Sequence, residues 1–113
     1  MGLSTHILDT SQGRPAAGID VVLLQESDGG WNEIGRDSTD ADGRCRTLLG
    51  ARELERATYK LRFEVAPYFS AQSITISCLY PYVEIAFTIT DASQHYHIPL
   101  LISANGYTTY RGS

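Results

Sequence analysis

The side chains of this sequence that are most able to do chemistry are concentrated in residues 95–113. This segment holds two of the three histidines, three of the seven tyrosines and an arginine. Imidazole titrates near neutral pH, so His95 and His97 are candidates for a general base. Chain ends commonly fray and carry little chemistry, so this composition is unusual for a terminal segment. We therefore expect the segment, up to Ser113, to be packed into an active site.

Two residues elsewhere have side chains suited to the same site. His6 lies in the first predicted strand, and Arg44 follows a turn glycine at position 43. Arginine offers a fixed fork of donors to an oxyanion or to substrate heteroatoms. Side chains alternate along a strand, so His95 and His97 share one face. Three histidines with a His-x-His pair are compatible with a zinc site, and equally with histidines at a surface or an interface.

Other patterns in the sequence do not predict a site. Residues 40–43, Asp-Ala-Asp-Gly, resemble half of a calcium loop, but the position of the closing glutamate falls on Leu49. The sequence has no Gly-x-Ser-x-Gly elbow, so we do not expect Ser113 to be an acyl-transfer nucleophile. A glycine-rich phosphate loop is also missing.

Composition limits the class of protein. A chain of 113 residues with 42% hydrophobic residues is expected to form a single domain, residues 1–113, with its own core. The net charge of -4 argues against a nucleic-acid partner. Cys45 and Cys78 are too few for a disulfide scaffold, and residues 1–6 do not resemble a secretion signal. Together with the lack of a long apolar run, this predicts a cytoplasmic protein that does not bind membranes.

Alternating apolar and polar residues predict an all-β fold. We expect seven or eight strands in a two-sheet antiparallel sandwich with one short helix over about 67–73. The stretch 48–54 is ambiguous between a short strand with a loop and a brief helix. Asn105-Gly106 is a strong hairpin signal and pairs the last two strands antiparallel. The predicted strands cover residues 3–9, 19–25, 31–39, 57–66, 83–89, 94–103 and 107–112.

The strand at 94–103 differs from the others because it is apolar on both faces. Positions 96, 98, 100 and 102 are apolar, and Pro99 and Leu101 lie on the opposite face. A two-layer sandwich covers only one face of each sheet. The other cover must then come from a second subunit, so we expect an oligomer whose interface includes this strand.

Several motifs resemble those of the transthyretin-like 5-hydroxyisourate hydrolases. Residues 3–10, Leu-Ser-Thr-His-Ile-Leu-Asp-Thr, with 13–16, Gly-Arg-Pro-Ala, resemble the opening motif of that family. Residues 43–45, Gly-Arg-Cys, are similar to its central arginine motif, and 80–84, Tyr-Pro-Tyr-Val-Glu, to a later segment. Residues 95–101, His-Tyr-His-Ile-Pro-Leu-Leu, and 106–113, Gly-Tyr-Thr-Thr-Tyr-Arg-Gly-Ser, resemble its C-terminal signature. The final Tyr-Arg-Gly-Ser resembles the hydrolases and not the hormone carriers of the same fold.

The resemblance implies a function and an assembly. The expected reaction is hydrolysis of 5-hydroxyisourate to 2-oxo-4-hydroxy-4-carboxy-5-ureidoimidazoline, in the degradation of urate to allantoin. The reaction opens a ring at a cyclic amide, and we expect neither a cofactor nor a metal. The resemblance also implies a homotetramer of transthyretin-like subunits, with active sites where the subunits meet.

The resemblance further implies a role for each candidate residue. The catalytic histidine pair and arginine correspond to His6, Arg44 and His97, with His95 as the nearer alternative to His97. Either catalytic histidine could be the base, and the other would polarise or protonate the substrate. Substrate-binding roles are implied for four residues: Ser113, Tyr110, Arg111 and His95.

Three alternatives remain open at the level of the sequence. A transthyretin-like carrier would bind a small hydrophobic ligand without catalysis, in a channel lined by aliphatic side chains and lysines. A zinc hydrolase would use the three histidines as ligands. An immunoglobulin-like interaction domain would have no active site, and it has no need of the histidines in residues 95–113.

Overall fold

A computed structural model describes residues 2–72 and 77–113 of the chain. In these residues the chain forms two β-sheets and one short helix, which confirms the predicted all-β sandwich. The elements in chain order are β1 (Gly2–Asp9), β2 (Arg14–Pro15), β3 (Asp20–Ser27), β4 (Gly30–Ser38), β5 (Arg44–Cys45), β6 (Thr58–Phe63), α1 (Val65–Ser70), β7 (Val83–Thr88), β8 (His95–Ser103) and β9 (Gly106–Thr109).

The first sheet brings the two ends of the chain together. Its strand order is β2-β1-β8-β9, with β5 also paired to β1, and the second sheet has the order β4-β3-β6-β7. Strands β1 and β8 run parallel, in a register from Gly2 opposite His95 to Asp9 opposite Ile102. The other strand pairs are antiparallel. The parallel pair places the N-terminal strand directly beside both C-terminal histidines.

The core lies between the two sheets and follows from the period-two pattern. Along β1, buried residues alternate with partly exposed ones, and Leu3 and Ile7 face inward. In β6 the inward-facing residues are Tyr59, Leu61 and Phe63. Removing one such side chain from water contributes roughly 1.5–3 kcal/mol to folding. Because the odd residues of β1 fill the core, its even residues face outward, and these are the residues near the candidate site.

The predicted helix is displaced by two residues. It was expected over about 67–73, but it spans Val65–Ser70, and residue 73 lies outside the described residues. Pro67 is its third residue, where a missing N–H breaks no intrahelical hydrogen bond. The helix therefore begins before the proline, and strand β6 ends at Phe63 rather than at residue 66.

The last strand is also shorter than its pattern predicts. Strand β9 ends at Thr109, and beyond it only Gly112 forms a bridge, to His97 of β8. The expected hairpin is present, since Ser103 pairs with Gly106. The residues after Thr109 thus leave the regular ladder and return to β8 at a histidine.

Both cysteines are free thiols. Burial raises the pKa of Cys45 to about 12, and the nearby carboxylates of Asp37 and Asp40 act in the same direction. This thiol is therefore protonated at neutral pH. In residues 2–72 and 77–113, the single helix is too short to cross a membrane.

Candidate active site

The outward face of the first sheet collects the candidate residues through strand register. In the pairing of β1 with β5, His6 lies opposite Arg44. In the parallel pairing of β1 with β8, Ser4 lies opposite His97. Paired residues place their side chains on the same face of a sheet. Residues far apart in sequence therefore meet on the face turned away from the core.

A cleft of about 210 Å³ opens on this face. Four predicted site residues, Arg44, His95, His97 and Ser113, lie together in its lining. The complete lining consists of Ser4, Thr5, Arg44, Arg46, His95, His97 and Ser113. All of these residues are polar. The lining contains two arginines and no carboxylate side chain, and Arg46 pairs with Asp40 at 3.8 Å.

Ser4 links the two C-terminal histidines. Its Oγ lies 2.9 Å from Nε2 of His95 and 2.8 Å from Nδ1 of His97. Both distances are those of hydrogen bonds. Since Ser4 engages Nδ1 of His97, the other ring nitrogen of His97, Nε2, is left for a ligand.

The electrostatic environment of His97 keeps its ring neutral. Burial, more than any other cause, lowers its pKa below the ordinary value. The positive charge of Arg44 and the neighbouring His6 and His95 lower it further, and a hydrogen bond with the backbone of Ser4 opposes them only in part. A neutral imidazole at pH 7 can accept a proton, which is the property that a general base requires.

His6 is close to this group but is not part of the cleft lining. Its ring is half-buried, and its Nε2 is buried without a hydrogen-bond partner among the described residues. Leaving a buried polar atom unpaired costs about 1–3 kcal/mol, so native proteins rarely do so without a reason. No described residue forms a hydrogen bond with this nitrogen of His6, so the nitrogen is available to a ligand.

The segment after β9 is fixed to β8 at two places. The N–H of Gly112 donates to the carbonyl oxygen of His97 at 2.8 Å. The guanidinium of Arg111 donates to Oε1 of Gln94 at 2.7 Å and lies 4.5 Å from the ring centre of Tyr96. These contacts place Ser113 in the cleft lining.

Two predicted binding residues lie outside the cleft lining. The side chain of Arg111 is engaged with Gln94 and Tyr96. Tyr110 is 57% exposed and does not line the cleft. On a single chain, neither residue forms the cleft wall, and the contacts of Arg111 support the placement of the terminal segment.

The histidines do not form an evident metal site. Within residues 2–72 and 77–113, no group of three or more His, Cys, Asp and Glu side chains is arranged to hold a metal ion. Ser4 is already hydrogen-bonded to one nitrogen of His95 and one of His97.

Sequence reasoning did not single out Ser4, Thr5 or Arg46 as site residues. Arg46 lies two residues after Arg44, and the alternation of an extended chain could have suggested that the two share a face. For Ser4 the decisive fact is the parallel pairing of β1 with β8, which joins residues that are 93 apart in sequence. No local pattern shows such a pairing.

The fold and the cleft define a class of protein: a transthyretin-like β-sandwich with a histidine- and arginine-lined site on one sheet. The chain belongs to the HIUase/Transthyretin family, whose model matches residues 3–112.

Relatives of this chain include an enzyme and a carrier. The mouse protein named 5-hydroxyisourate hydrolase is 43% identical over 113 residues, which cover 98% of this chain and 94% of that protein. The solved 5-hydroxyisourate hydrolase of Klebsiella pneumoniae is 35% identical, with a TM-score of 0.83 and 98% of both chains covered. Sea bream transthyretin in complex with thyroxine is 29% identical, with a TM-score of 0.88 and 97% and 93% covered. Similarity of fold alone therefore does not distinguish a hydrolase from a thyroxine-binding protein. The residues of the site have to make that distinction.

Proposed function

We propose that this chain hydrolyses 5-hydroxyisourate to 2-oxo-4-hydroxy-4-carboxy-5-ureidoimidazoline. The observation that carries the proposal is the polar cleft in which a neutral His97 lies beside Arg44. A carrier of a hydrophobic ligand would need aliphatic side chains in the lining, and this cleft has none. The near-full-length likeness to proteins named 5-hydroxyisourate hydrolase supports the same choice.

In the proposed reaction, His97 acts as the general base. Nε2 of His97 takes a proton from water while the water oxygen bonds to the carbonyl carbon of the cyclic amide. The carbonyl oxygen then carries negative charge, and the guanidinium of Arg44 donates hydrogen bonds to it. One oxyanion donor of this kind contributes about 3 kcal/mol to transition-state stabilisation.

The second half of the reaction needs a proton donor. The C–N bond breaks, and the leaving nitrogen takes up one proton. Among the described residues Nε2 of His6 has no hydrogen-bond partner, which supports assigning His6 to protonation of the leaving nitrogen or to polarisation of the substrate. Ser113 and His95 contact the substrate from the cleft wall. Tyr110 and Arg111 act by holding the terminal segment, and Arg111 does so through Gln94 and Tyr96.

The proposed assembly is a homotetramer with active sites where subunits meet. The outward face of β8 supports it, because Leu101 is only half-buried there in the single chain. Exposed tyrosines at 80, 107 and 110 offer further apolar area. Sedimentation velocity tests the assembly: a tetramer is expected, and a monomer at micromolar concentration would contradict it.

The proposed setting is urate degradation in the cytoplasm. The free thiols Cys45 and Cys78 support a reducing compartment, since disulfides persist mainly in oxidising ones. Fractionation of the producing cells, followed by detection of this chain, tests the location. Recovery in the secreted fraction would contradict it.

The experiment that tests the activity is a coupled assay. Urate oxidase generates 5-hydroxyisourate from urate, and its ultraviolet absorbance is followed with and without this protein, in the presence of a chelator. We expect fast decay that the chelator does not slow. Decay at the spontaneous rate would contradict catalysis and favour the carrier, and loss of activity in the chelator would favour a metal-dependent hydrolase.

Matched arginine variants connect that activity to the cleft. Arg44→Gln removes the proposed oxyanion donor and is expected to lower kcat by about 100-fold or more. Arg36→Gln is the control, because Arg36 is exposed on the other sheet and pairs with Glu33. Equal rates in the two variants would remove Arg44 from the mechanism.

A further inference from the structure

We propose that the hydroxyl of Ser4 is a proton bridge between His97 and His95, so that the exposed His95 receives the proton that His97 takes from water. This inference deepens the proposed function and rests on His97 being the base. It assigns to Ser4 a positioning and relay role, and it gives His95 a task besides contact with the substrate.

The bridge follows from counting protons. The Ser4 Oγ is within hydrogen-bond distance of a nitrogen on each ring, at 2.9 Å and 2.8 Å. A hydroxyl has a single proton to donate, and a neutral imidazole has one N–H and one bare nitrogen. Ser4 can therefore donate to only one ring, and when it does so and accepts from the other ring, two arrangements are possible; acceptance from both rings is the alternative without a relay. The tautomers of His95 and His97 are coupled through this one oxygen.

Only one of the two arrangements leaves a base in the cleft. In the first, Nδ1–H of His97 donates to Ser4, Ser4 donates to Nε2 of His95, and Nε2 of His97 is bare. In the second, Nε2–H of His95 donates to Ser4, Ser4 donates to Nδ1 of His97, and Nε2 of His97 carries the proton. The first arrangement can accept a proton from water, and the second can return one.

The relay converts the first arrangement into the second. When Nε2 of His97 takes a proton from water, its Nδ1 proton moves to the Ser4 oxygen and the Ser4 proton moves to Nε2 of His95. His97 is then neutral with a proton on Nε2, and His95 carries the positive charge. No atom is lost, and Ser4 ends with one proton, as it began.

The surroundings of the two rings favour this direction. His97 is half-buried, and Arg44 and His6 also oppose a positive charge on it. His95 is exposed at the edge of the cleft, where water can solvate its charge. Arg46 and Ser113 also line the cleft, and the carboxylate of Asp40 lies 3.8 Å from the guanidinium of Arg46. The charge thus moves from the less solvated ring to the more solvated one.

The strand register holds the bridge in place. Ser4 lies opposite His97 in the parallel pair, and its neighbour Thr5 donates from Oγ1 to the carbonyl of Ile98 at 2.6 Å. Thr5 is fully buried, so this contact anchors β1 against β8 next to the bridge. Ser4 therefore has little freedom to leave either histidine.

The kinetic test uses three variants of the complete chain. Ser4→Ala removes the bridge, Ser4→Thr keeps a hydroxyl, and His95→Gln keeps a hydrogen-bond partner that cannot become positively charged. We expect Ser4→Ala and His95→Gln each to lower kcat by about 100-fold, the lower end for proton transfer by a side chain. For Ser4→Ala, KM should change by less than about threefold, because the residues proposed to contact the substrate are retained. Ser4→Thr should recover most of the lost rate.

The double variant separates a relay from two independent effects. If both residues serve one path, Ser4→Ala with His95→Gln should be no slower than the slower single variant. A double variant whose loss equals the product of the single losses would overturn the relay. So would a Ser4→Ala enzyme within about threefold of the wild-type kcat, since proton transfer through Ser4 would then contribute little.

A measurement on the free protein needs no activity and so stands apart from the proposed hydrolysis. Nitrogen-15 NMR of the imidazoles reports which ring nitrogen carries the proton. As pH falls, a proton that the bridge delivers to His95 should leave His97 neutral, with its own proton moved from Nδ1 to Nε2. Ser4→Ala should abolish this exchange. If the neutral histidines of the wild type hold their protons on different nitrogens, Nδ1 in one ring and Nε2 in the other, or if His97 keeps its tautomer throughout the titration, the bridge is wrong even in an active enzyme.

Discussion

Gly112 packs against the imidazole of His97 so closely that this position has no room for a side chain. A Cβ at Gly112 would lie 2.6 Å from Cδ2 of His97, well inside van der Waals contact. The N–H of Gly112 also donates to the carbonyl oxygen of His97. The glycine of the terminal motif therefore fixes both the backbone and the ring of the proposed base.

Gly112→Ala is expected to disturb the site more than the fold. The added methyl group must displace either the His97 ring or the segment leading to Ser113. A misplaced catalytic group can cost about 100-fold in rate, so we expect kcat to fall by that order with a nearly unchanged Tm. Gly30→Ala is the control, because a Cβ there meets only the Ser27 carbonyl oxygen, at 3.9 Å. Equal rates in the two variants would show that the His97 ring tolerates displacement.

Much of the architecture could be predicted from local patterns, and the reason is physical. The Asn105-Gly106 turn and the alternation in β8 are properties of neighbouring residues, so hairpin pairing and the shared face of His95 and His97 follow from them. The start of α1 was missed because a proline fits any position of a first turn, and the helix begins at Val65 rather than at residue 67.

The composition of the cleft could be predicted only in part. Arg44, His95, His97 and Ser113 line it as expected. The hydrogen bonds between Ser4 and the two histidines depend on the parallel pairing of β1 with β8. The sequence of neither strand by itself predicts this pairing. Pairing of distant strands is decided by the packing of the whole sandwich, so its consequences appear only in three dimensions.

A second glycine sets the position of Arg44. Gly43 has a φ of +75°, and a Cβ there would lie 2.5 Å from the carbonyl oxygen of Ile7. Gly43→Ala therefore combines backbone strain with a backbone collision, and we expect an unfolding free energy lower by more than about 2 kcal/mol, with activity reduced as Arg44 moves. Urea denaturation measures the stability.

The control for this variant isolates the strain from the collision. Gly13 has a similar φ of +67°, but nothing lies within 4 Å of the place that a Cβ would occupy there. Gly13→Ala should lose only about 1 kcal/mol, the cost of the left-handed conformation alone. If both variants lose the same free energy, the close approach of Gly43 to Ile7 is not what makes the glycine necessary.

The lowered pKa of His97 predicts how activity and stability depend on pH. Burial and the Arg44 charge disfavour the protonated ring, so kcat/KM should fall on the acid side only below the ordinary histidine pKa of about 6.5. In the unfolded chain the ring protonates at that ordinary value. His97 therefore contributes stability that is complete above the unfolded pKa and is lost as pH falls toward the folded one.

NMR titration of the His97 ring measures this shift directly. Arg44→Gln should raise the pKa of His97, because it removes one of the causes of the lowering. Arg36→Gln should leave it unchanged, since Arg36 is paired with Glu33 on the exposed surface of the other sheet. A pKa of His97 that does not respond to Arg44→Gln would mean that burial and the neighbouring histidines lower it without help from Arg44.

The buried carboxylate of Asp9 is stabilised by a hydrogen-bond network away from the cleft. Burial by itself would raise its pKa, but donors from Ser11, Tyr68 and Gln12 outweigh burial and lower it. The phenol of Tyr68 donates to Oδ2 at 2.8 Å and links β1 to α1. Burial and this carboxylate raise the pKa of Tyr68 itself to about 12.

Tyr68→Phe is expected to lower the unfolding free energy by about 1–3 kcal/mol, because it leaves one oxygen of a buried carboxylate without this donor. The pKa of Asp9 is lower in the folded state, so its contribution is present above the unfolded pKa and is lost as pH falls through the folded one. The difference between wild type and Tyr68→Phe in urea should therefore shrink as the solution is acidified. A difference that stays constant down to the acid transition would assign the loss to packing of the ring and not to the hydrogen bond to Asp9.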